Sequence, residues 1–328
     1  MSQLRLDPLT GRWVVVSPNR SGRLASLPPD GRPDAEGGAA GGRCPFCPGN
    51  EAETRPAVAT HGDGGGWLVR VVPNLYPAFE GTAPMAVRHL APVFTEAPGS
   101  GAHEVLVLSP RHDRAWADLA DGQVDLVMEA LAGRVAAHAG TPGLRYSQAI
   151  VNCGRRAGAS IDHPHAQLLG MPFVPRELAD EQAGFARFEG GCLLCATAAA
   201  EEGEGRRVVR ADAGVVVVCP FWSASPYEML VVPREHGGHL HRAGATGRSA
   251  VGRALRDGLR RLRACIGPAD YNLVFHSAPY RAHGGFHWHV HVVPKLTTPA
   301  GFESGTGVMV NVVAPEAAAA ALAAAGGA

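Results

Sequence analysis

The chain has 328 residues, of which 46% are hydrophobic, and can therefore bury one large core or two domains of ordinary size without disulfide staples. Lys and Arg together number 30 and balance 30 Asp and Glu, so the chain lacks the positive charge on which non-specific binding to nucleic acid or acidic membranes depends. No apolar run reaches the length of a membrane span, and residues 1–20 lack the pattern of a signal peptide; we therefore expect a cytoplasmic protein.

Two successive sets of strands and helices are predicted along the chain. A Gly-, Pro- and Ala-rich stretch at 28–42 predicts a surface loop before the first set. The first set contains a helix with apolar residues at helical spacing, and Asp121 is its expected N-cap. Its strands are expected at 104–108, 146–151 and 163–169. The second set is expected to have strands at 215–218, 228–232, 271–275 and 287–293, a helix near 250–264 and a terminal helix from Pro315.

The two sets repeat one order of motifs. LVLSPRH ends at His112 and LVVPREH ends at His236, while HPH begins at His163 and HWH begins at His287. In each set the second of these histidines follows the first by 51 residues. We infer an internal duplication, with one half at 1–175 and the other at 176–328.

Seven cysteines are present, an odd number, and four of them form two Cys-x-x-Cys pairs, one in each half. This usage is typical of metal or redox chemistry rather than of a disulfide framework. A redox function is disfavoured because neither pair is predicted to open a helix in a strand-helix-strand unit, although buried small thiols remain an alternative. A nucleic-acid zinc ribbon is disfavoured because 145 residues separate Cys47 from Cys192.

Tetrahedral zinc needs four soft or borderline ligands, and a Cys-x-x-Cys turn supplies two of them. Two histidines from later strands complete each set, which predicts two zinc ions per chain. The predicted ligands are Cys44, Cys47, His112 and His163 in the first half, and Cys192, Cys195, His236 and His287 in the second.

The run NCGRRAGASIDHPHAQ, from Asn152 to Gln167, contains residues suited to phosphoryl chemistry. Strand alternation is expected to place His163 and His165 on one face, so that one ring binds metal while the other faces a phosphate. A neutral imidazole attacks phosphorus well and leaves well, which makes His165 the candidate nucleophile. Gln167 can donate to the phosphoryl oxygens without adding charge. Small residues of the intervening loop can bring backbone N–H groups and a hydroxyl close to a diphosphate, namely Gly154, Gly158 and Ser160.

This run resembles the active-site signature of the galactose-1-phosphate uridylyltransferases, a branch of the histidine-triad superfamily. The resemblance extends to SPNRSGR, CPFCPGNE, VPNLYPA, SPRH and GFESGTG, and so spans nearly the whole chain. It implies an α+β fold of two histidine-triad-like halves that form one antiparallel sheet with helices on its outer side, and a homodimer. The implied reaction moves UMP from UDP-glucose to galactose 1-phosphate in a ping-pong mechanism through a uridylyl-histidine.

The resemblance also implies roles for other residues. Arg20 and Arg23 are expected to contact substrate phosphates, Asn74 and Asn152 the nucleotide, and Glu303 the hexose hydroxyls, although each can also be an ordinary solvated group. Five histidines are interpreted as ordinary core or surface residues without a role: His103, His138, His239, His241 and His276. The second half is expected to be structural or substrate-binding, since His291 replaces the glutamine and the Gly/Ser loop is absent.

Two departures from the uridylyltransferase pattern leave the acceptor open. Leu75 stands where an acidic residue follows the asparagine, and SGTG follows Glu303. With the second Cys-x-x-Cys pair, these features resemble the branch that includes ADP-glucose phosphorylase, in which inorganic phosphate accepts the nucleotidyl group. A non-catalytic, zinc-stabilised nucleotide-binding protein is a further alternative.

Overall fold

The computed structural model describes residues 2–20, 44–62, 64–282 and 284–326. The predicted loop at 28–42 and Arg23 lie outside these residues. The described strands are β1 Gln3–Leu6, β2 Trp13–Val16, β3 Ala59–Gly62, β4 Trp67–Pro73, β5 Arg88–Ala91, β6 Phe94–Glu96, β7 Ala102–Val107, β8 Tyr146–Cys153, β9 His165–Met171, β10 Val208–Ala211, β11 Val215–Val218, β12 Met229–Pro233, β13 Tyr271–His276, β14 His289–Pro294 and β15 Met309–Asn311. The described helices are α1 Asp121–Ala139, α2 Arg176–Arg187, α3 Leu193–Glu204, α4 Ala245–Ile266, α5 Gly301–Thr306 and α6 Pro315–Ala324.

Ten strands form one large sheet in the order β10-β11-β12-β14-β13-β8-β9-β7-β4-β3. Every pair of neighbours in it is antiparallel. The two halves contribute five strands each and meet where β8 pairs with β13, with Asn152 opposite Asn272. The predicted α+β class and the antiparallel sheet are confirmed. The division expected after residue 175 falls between β9 and α2.

One face of the large sheet is covered by α1 and α4. Both helices present apolar side chains at helical spacing, such as Val127 on α1 and Leu255 on α4, and these are fully buried. They pack against the strand residues Ala166, Leu168 and Leu273 in the main core. Because side chains alternate along a strand, the residues between these positions must point to the opposite face.

The opposite face is covered only in parts. At its second-half side, α2 and α3 pack on the sheet in a core that includes Leu178, Leu194 and Leu230. At its first-half side, Phe46 packs on Val105 and Val107 of β7. His165 and Gln167 belong to this face, because they lie directly opposite Val107 and Val105 in the register of β9 with β7.

A separate three-stranded sheet, β1-β2-β15, lies on the second half. Arg5 of β1 forms an ion pair with Glu316 of α6 and lies over the ring of Phe221. Asn311 of β15 donates hydrogen bonds to the carbonyl groups of Ser223 and Ser225. These contacts attach the small sheet to the second half. They also hold in place the chain segments that flank β2 and β15.

Two local predictions need correction. Asp121 is the first residue of α1 and Ala120 is the N-cap, which has no side chain able to cap; Asp121 instead forms ion pairs with Arg253 and Arg256. The strand expected at 163–169 begins at His165, so His163 precedes it. Among the described helices, none has the length and apolar character needed to cross a membrane.

Candidate functional site

His165 begins β9, and its ring is buried, with 5% relative exposure. Its Nδ1 atom lies 2.8 Å from the carbonyl oxygen of His163. A carbonyl only accepts, so Nδ1 carries the proton and the neutral ring has its lone pair on Nε2. Burial lowers the pKa of His165 despite the opposing effect of the hydrogen bond to His163, which favours the neutral ring. The ring of Phe46 packs with its centroid 5.4 Å away.

Gln167 follows two residues later on the same strand face and is half-buried. Its Oε1 atom lies 2.9 Å from Nε2 of His103, a residue of β7. The same Nε2 lies 3.1 Å from Nδ2 of Asn74, just beyond β4. The structure therefore brings Asn74 to Gln167 through His103, which the sequence analysis left without a role.

The loop between β8 and β9 is held by residues of the second half. Asn272 of β13 donates 2.8 Å hydrogen bonds to the Asn152 side chain and to the Ala157 carbonyl. The carboxylate of Asp270 accepts the backbone N–H of Arg156 at 2.8 Å. Gly154 and Gly158 both have positive φ angles, 87° and 88°, which only glycine adopts at little cost. These glycines and Ser160, which is exposed, place the predicted phosphate-binding loop beside the end of β8 that carries Asn152.

The first predicted ligand set is assembled in one cluster. The Cys47 Sγ atom lies 3.5 Å from Nδ1 of His112 and 3.6 Å from Nδ1 of His163, and the Cys44 Sγ atom lies 3.7 Å from the latter. A zinc ion with tetrahedral bonds of ordinary length separates sulfur from nitrogen ligands by about 3.6 Å. The Nε2 atom of His163 lies 2.8 Å from the Ser109 carbonyl, to which it donates, so Nδ1 is free to bind metal. The donor set and its spacing fit zinc.

The second predicted set has nearly the same geometry. The Cys195 Sγ atom lies 3.5 Å from Nδ1 of His287 and 3.9 Å from Nδ1 of His236, and the Cys192 Sγ atom lies 3.5 Å from Nδ1 of His287. The two histidine rings are 5.0 Å apart at 80°, against 5.0 Å and 81° for the pair in the first half. The duplication thus extends to the orientation of the rings.

Cys192 is the N-cap of α3, so the second pair opens a helix, but this helix follows α2 and not a strand, and the pair therefore lies outside any strand-helix-strand unit. A redox pair is still disfavoured. Burial and the neighbouring Cys192 raise the pKa of Cys195 to about 11, and burial and Cys44 likewise raise that of Cys47 to about 11. Reactive redox thiols have lowered pKa values instead, whereas a bound cation stabilises two adjacent thiolates.

A third cluster was missed by the sequence analysis. It consists of Glu181 from α2 with His276, His289 and His291, whose ligand atoms all lie within 4.8 Å of one another. Burial opposes ionisation of Glu181, but His276 and His289 hold its pKa well below the usual range. One carboxylate and three imidazoles are a donor set that can hold a divalent transition metal. The available signal was an acidic residue between Leu178 and Phe185 on the buried face of an amphipathic helix.

Two other predicted substrate residues lie beside strands of the small sheet along the chain, Arg20 after β2 and Glu303 before β15. Arg20 ends a short 3-10 turn after β2 and is exposed. Glu303 lies in α5, and its carboxylate accepts the backbone N–H of Ala300 at the start of that helix, at 2.9 Å. Asn74, Asn152, His165 and Gln167, by contrast, all belong to the large sheet and its loops.

Comparison with known proteins agrees with the fold and identifies the family. Residues 1–175 match the profile of the galactose-1-phosphate uridyl transferase N-terminal domain. The chain therefore belongs to the galactose-1-phosphate uridylyltransferase family, whose enzymes transfer nucleotidyl groups. Within the family, it is 29% identical to the ADP-glucose phosphorylase of Arabidopsis thaliana, over 96% of this chain and 90% of that protein. It is 25% identical to the galactose-1-phosphate uridylyltransferase of Thermotoga maritima, over 97% of each chain.

Solved structures of enzymes from this family also match the chain over nearly its whole length. The crystal structure of the Arabidopsis thaliana ADP-glucose phosphorylase with bound ADP-glucose matches with a TM-score of 0.83, 28% identity and 98% coverage of both chains. A uridylyltransferase structure matches with a TM-score of 0.76 and 28% identity, over 99% of this chain and 98% of the other. Both enzymes act on nucleotides, so nucleotidyl transfer is the chemistry common to the relatives.

Proposed function

We propose that the chain transfers a nucleotidyl group from a nucleotide sugar through a covalent bond to Nε2 of His165. The observation that carries this proposal is the contact of His165 Nδ1 with the His163 carbonyl, which leaves the ring's lone pair on Nε2. In the first step, Nε2 attacks the α-phosphorus, the bond from this phosphorus to the bridging oxygen breaks, and sugar 1-phosphate leaves. In the second step, an acceptor oxygen attacks the same phosphorus and His165 is released.

Neighbouring groups supply the binding and charge stabilisation that this mechanism requires. Gln167, on the same strand face, donates its amide hydrogens to the non-bridging phosphoryl oxygens, where negative charge accumulates. In the 154–158 turn, the backbone N–H groups of Arg156, Ala157 and Gly158 are already bonded within the protein, and Asn272 and Asp270 hold the turn in place. The group of this loop that contacts the diphosphate is therefore the hydroxyl of the exposed Ser160 beside the turn. Asn74 and Asn152 bind the nucleotide, and Arg20 and Arg23 bind phosphate.

We also propose zinc in both Cys2His2 clusters. A zinc ion would be structural in each, because the four protein ligands leave no position for substrate. In the first half, metal-bound His163 would be held rigidly, and its carbonyl is the group that orients His165. A homodimer, which the resemblance implies, stays a prediction for light scattering in solution.

For the donor and acceptor, we propose ADP-glucose and inorganic phosphate, which the sequence analysis placed second. The support is threefold. The ADP-glucose phosphorylase structure matches over 98% of both chains with the higher of the two TM-scores. The Glu303 carboxylate, expected to bind the hexose acceptor, caps its own helix. The exposed Leu75 beside Asn74 offers no carboxylate. Uridylyl transfer to galactose 1-phosphate remains the second candidate, favoured by the family profile and by the full-length match to the Thermotoga maritima enzyme.

A trapping experiment tests the mechanism and the specificity separately. The protein is incubated with ADP-glucose or UDP-glucose labelled at the α-phosphorus, denatured, and assayed for acid-labile label. His165→Asn should trap no label and turn over no substrate, whereas the control His89→Asn, on the exposed strand β5, should behave as wild type. Substantial turnover by His165→Asn would refute the covalent mechanism. Faster release of label by galactose 1-phosphate than by phosphate would instead favour the second candidate.

A further inference from the structure

His103 joins three parts of the proposed site. Its Nε2 atom lies 2.9 Å from Oε1 of Gln167, and its Nδ1 atom accepts the backbone N–H of Ala78 at 3.1 Å. We propose that His103 is a positioning residue that orients the Gln167 amide, so that its hydrogens face the reacting phosphate. This inference rests on the proposed function, because it concerns the phosphate contact of Gln167.

The backbone N–H of Ala78 determines which ring nitrogen of His103 carries the proton. The Ala78 backbone N–H can only donate, so Nδ1 of His103 must present its lone pair. A neutral imidazole then carries its hydrogen on Nε2. That hydrogen needs an acceptor, and the atom of Gln167 that faces it must therefore be the amide oxygen. The assignment of oxygen and nitrogen in Gln167 thus follows from the main chain at Ala78.

The side-chain amide of Asn74 lies close to His103 without a hydrogen bond between them. Asn74 Oδ1 accepts the backbone N–H of Tyr76 at 2.9 Å, so the Asn74 atom that lies 3.1 Å from His103 Nε2 is the amino nitrogen. Two groups that both carry hydrogen do not bond to each other, so this is a close approach only. The hydrogens of the Asn74 amide therefore remain available for an acceptor on the nucleotide.

The sheet register explains why His103 can act on Gln167. Val105 lies directly opposite Gln167 in the pairing of β7 with β9, and His103 lies two residues earlier on the same face. It is a diagonal neighbour, within reach of a long side chain. The backbone N–H of Asn74 also donates to the His103 carbonyl at 2.7 Å, which keeps the 74–78 segment beside the ring.

Orientation matters because the two ends of a glutamine amide are similar in shape and opposite in hydrogen-bonding character. With Oε1 held by His103, the Nε2 hydrogens are left to face the phosphoryl oxygens. A flipped amide would present its oxygen to those negatively charged oxygens, which would raise the barrier instead of lowering it. Without His103, Oε1 of Gln167 loses the hydrogen bond that fixes the orientation of the amide.

Three substitutions of His103 distinguish orientation of the Gln167 amide from simple anchoring of the 74–78 segment. The amide nitrogen of Gln in His103→Gln reaches the position of Nε2 and can still donate to Gln167. The amide of Asn in His103→Asn reaches only the position of Nδ1, where it can accept the Ala78 N–H but cannot reach Gln167. His103→Phe removes both functions. We expect kcat for the first half-reaction to fall about 10- to 100-fold in His103→Asn and His103→Phe, and to stay within about threefold in His103→Gln, with a smaller change in donor KM.

A double-mutant cycle with Gln167→Ala provides the decisive test, measured as single-turnover label trapping. If His103 acts through Gln167, adding His103→Phe to Gln167→Ala should slow trapping no further. Multiplicative effects of the two substitutions, or equal losses in His103→Gln and His103→Asn, would overturn the inference. If Gln167→Ala alone traps label at the wild-type rate, the phosphate contact of Gln167 fails and this inference fails with it, while the nucleophile is judged independently by His165→Asn.

Discussion

Replacing Gly154 with alanine should damage the proposed phosphate-binding loop. Gly154 has φ 87° and ψ 159°, a region almost restricted to glycine, where another residue costs about 1–3 kcal/mol. An added Cβ would also lie 1.9 Å from Oδ1 and 2.1 Å from Cγ of Asp270. Asp270 must then move, and its hydrogen bond to the Arg156 N–H, worth about 1.5–3 kcal/mol for a charged acceptor, is lost. The free energy of unfolding should fall by about 2.5–6 kcal/mol.

A matched control separates the backbone cost from the clash. Gly143, in the turn between α1 and β8, has φ 90° and open space around the added Cβ. Gly143→Ala should therefore show only the backbone cost, about 1–2 kcal/mol in urea unfolding, and trap label at the wild-type rate. Gly154→Ala should slow trapping as well. Equal stability losses in the two variants, with trapping unaffected in both, would refute the reasoning.

Relief of the clash offers a second test of the same idea. Asp270→Ala alone removes the acceptor for the Arg156 N–H and should also lower the free energy of unfolding. In the Gly154→Ala background, however, it removes the atoms that the new Cβ would meet. The loss in the double variant should be smaller than the sum of the two single losses, since the two positions are in contact. A strictly additive result would show that the Cβ does not meet Asp270.

The remaining predictions concern acid stability and metal content. Burial opposes ionisation of Glu104, but hydrogen bonds from His138 and Arg134 lower its pKa from 4.5 to about 2, so it should contribute roughly 3 kcal/mol of stability above pH 4.5 that is lost as the pH falls towards 2. Glu104→Gln should remove this decrease in the free energy of unfolding, measured by urea unfolding at a series of pH values. An unchanged pH dependence in Glu104→Gln would contradict the prediction. Purified protein should bind zinc in both Cys2His2 clusters, and Cys44→Ser and Cys192→Ser should each lose one zinc equivalent by elemental analysis; loss of none in either variant would argue against both sites.

Local patterns predicted the parts of the fold whose signals lie within one element. Alternating strands and the apolar spacing of α1 and α4 are present in the sequence, and the repeated motifs revealed the duplication that the paired halves of the sheet display. The two Cys2His2 clusters were predictable for the same reason, because each Cys-x-x-Cys turn and each His-x-His run is a short motif. Because the motifs occur in the same order in both halves, and the halves share one topology, the four residues of each set come together in the same way.

Contacts that depend on tertiary packing were not predictable in this way. Glu181 lies 95 residues before His276 in the chain, and only the docking of α2 on the sheet brings their side chains to 2.8 Å. His103 was read as an ordinary histidine because its partners Gln167 and Ala78 come from β9 and from the loop after β4. The spacing of these residues along the chain does not predict the register of β7 with β9, and it is this register that brings His103 into contact with Gln167.

The two halves differ in the surroundings of the proposed nucleophile and of its counterpart. His289 repeats the local geometry of His165, with its Nδ1 atom 2.8 Å from the His287 carbonyl, so both rings carry the proton on Nδ1 and the lone pair on Nε2. The surroundings of Nε2 differ. That atom of His289 lies 3.1 Å from His291 and 3.8 Å from Glu181 beneath α2, whereas His165 has Gln167 at the corresponding place on its strand. A buried carboxylate would repel an incoming phosphate, and the His291 ring occupies the lone pair of His289. These surroundings favour His165 over His289 as the proposed nucleophile, and they give the second half a donor set that can hold a metal ion.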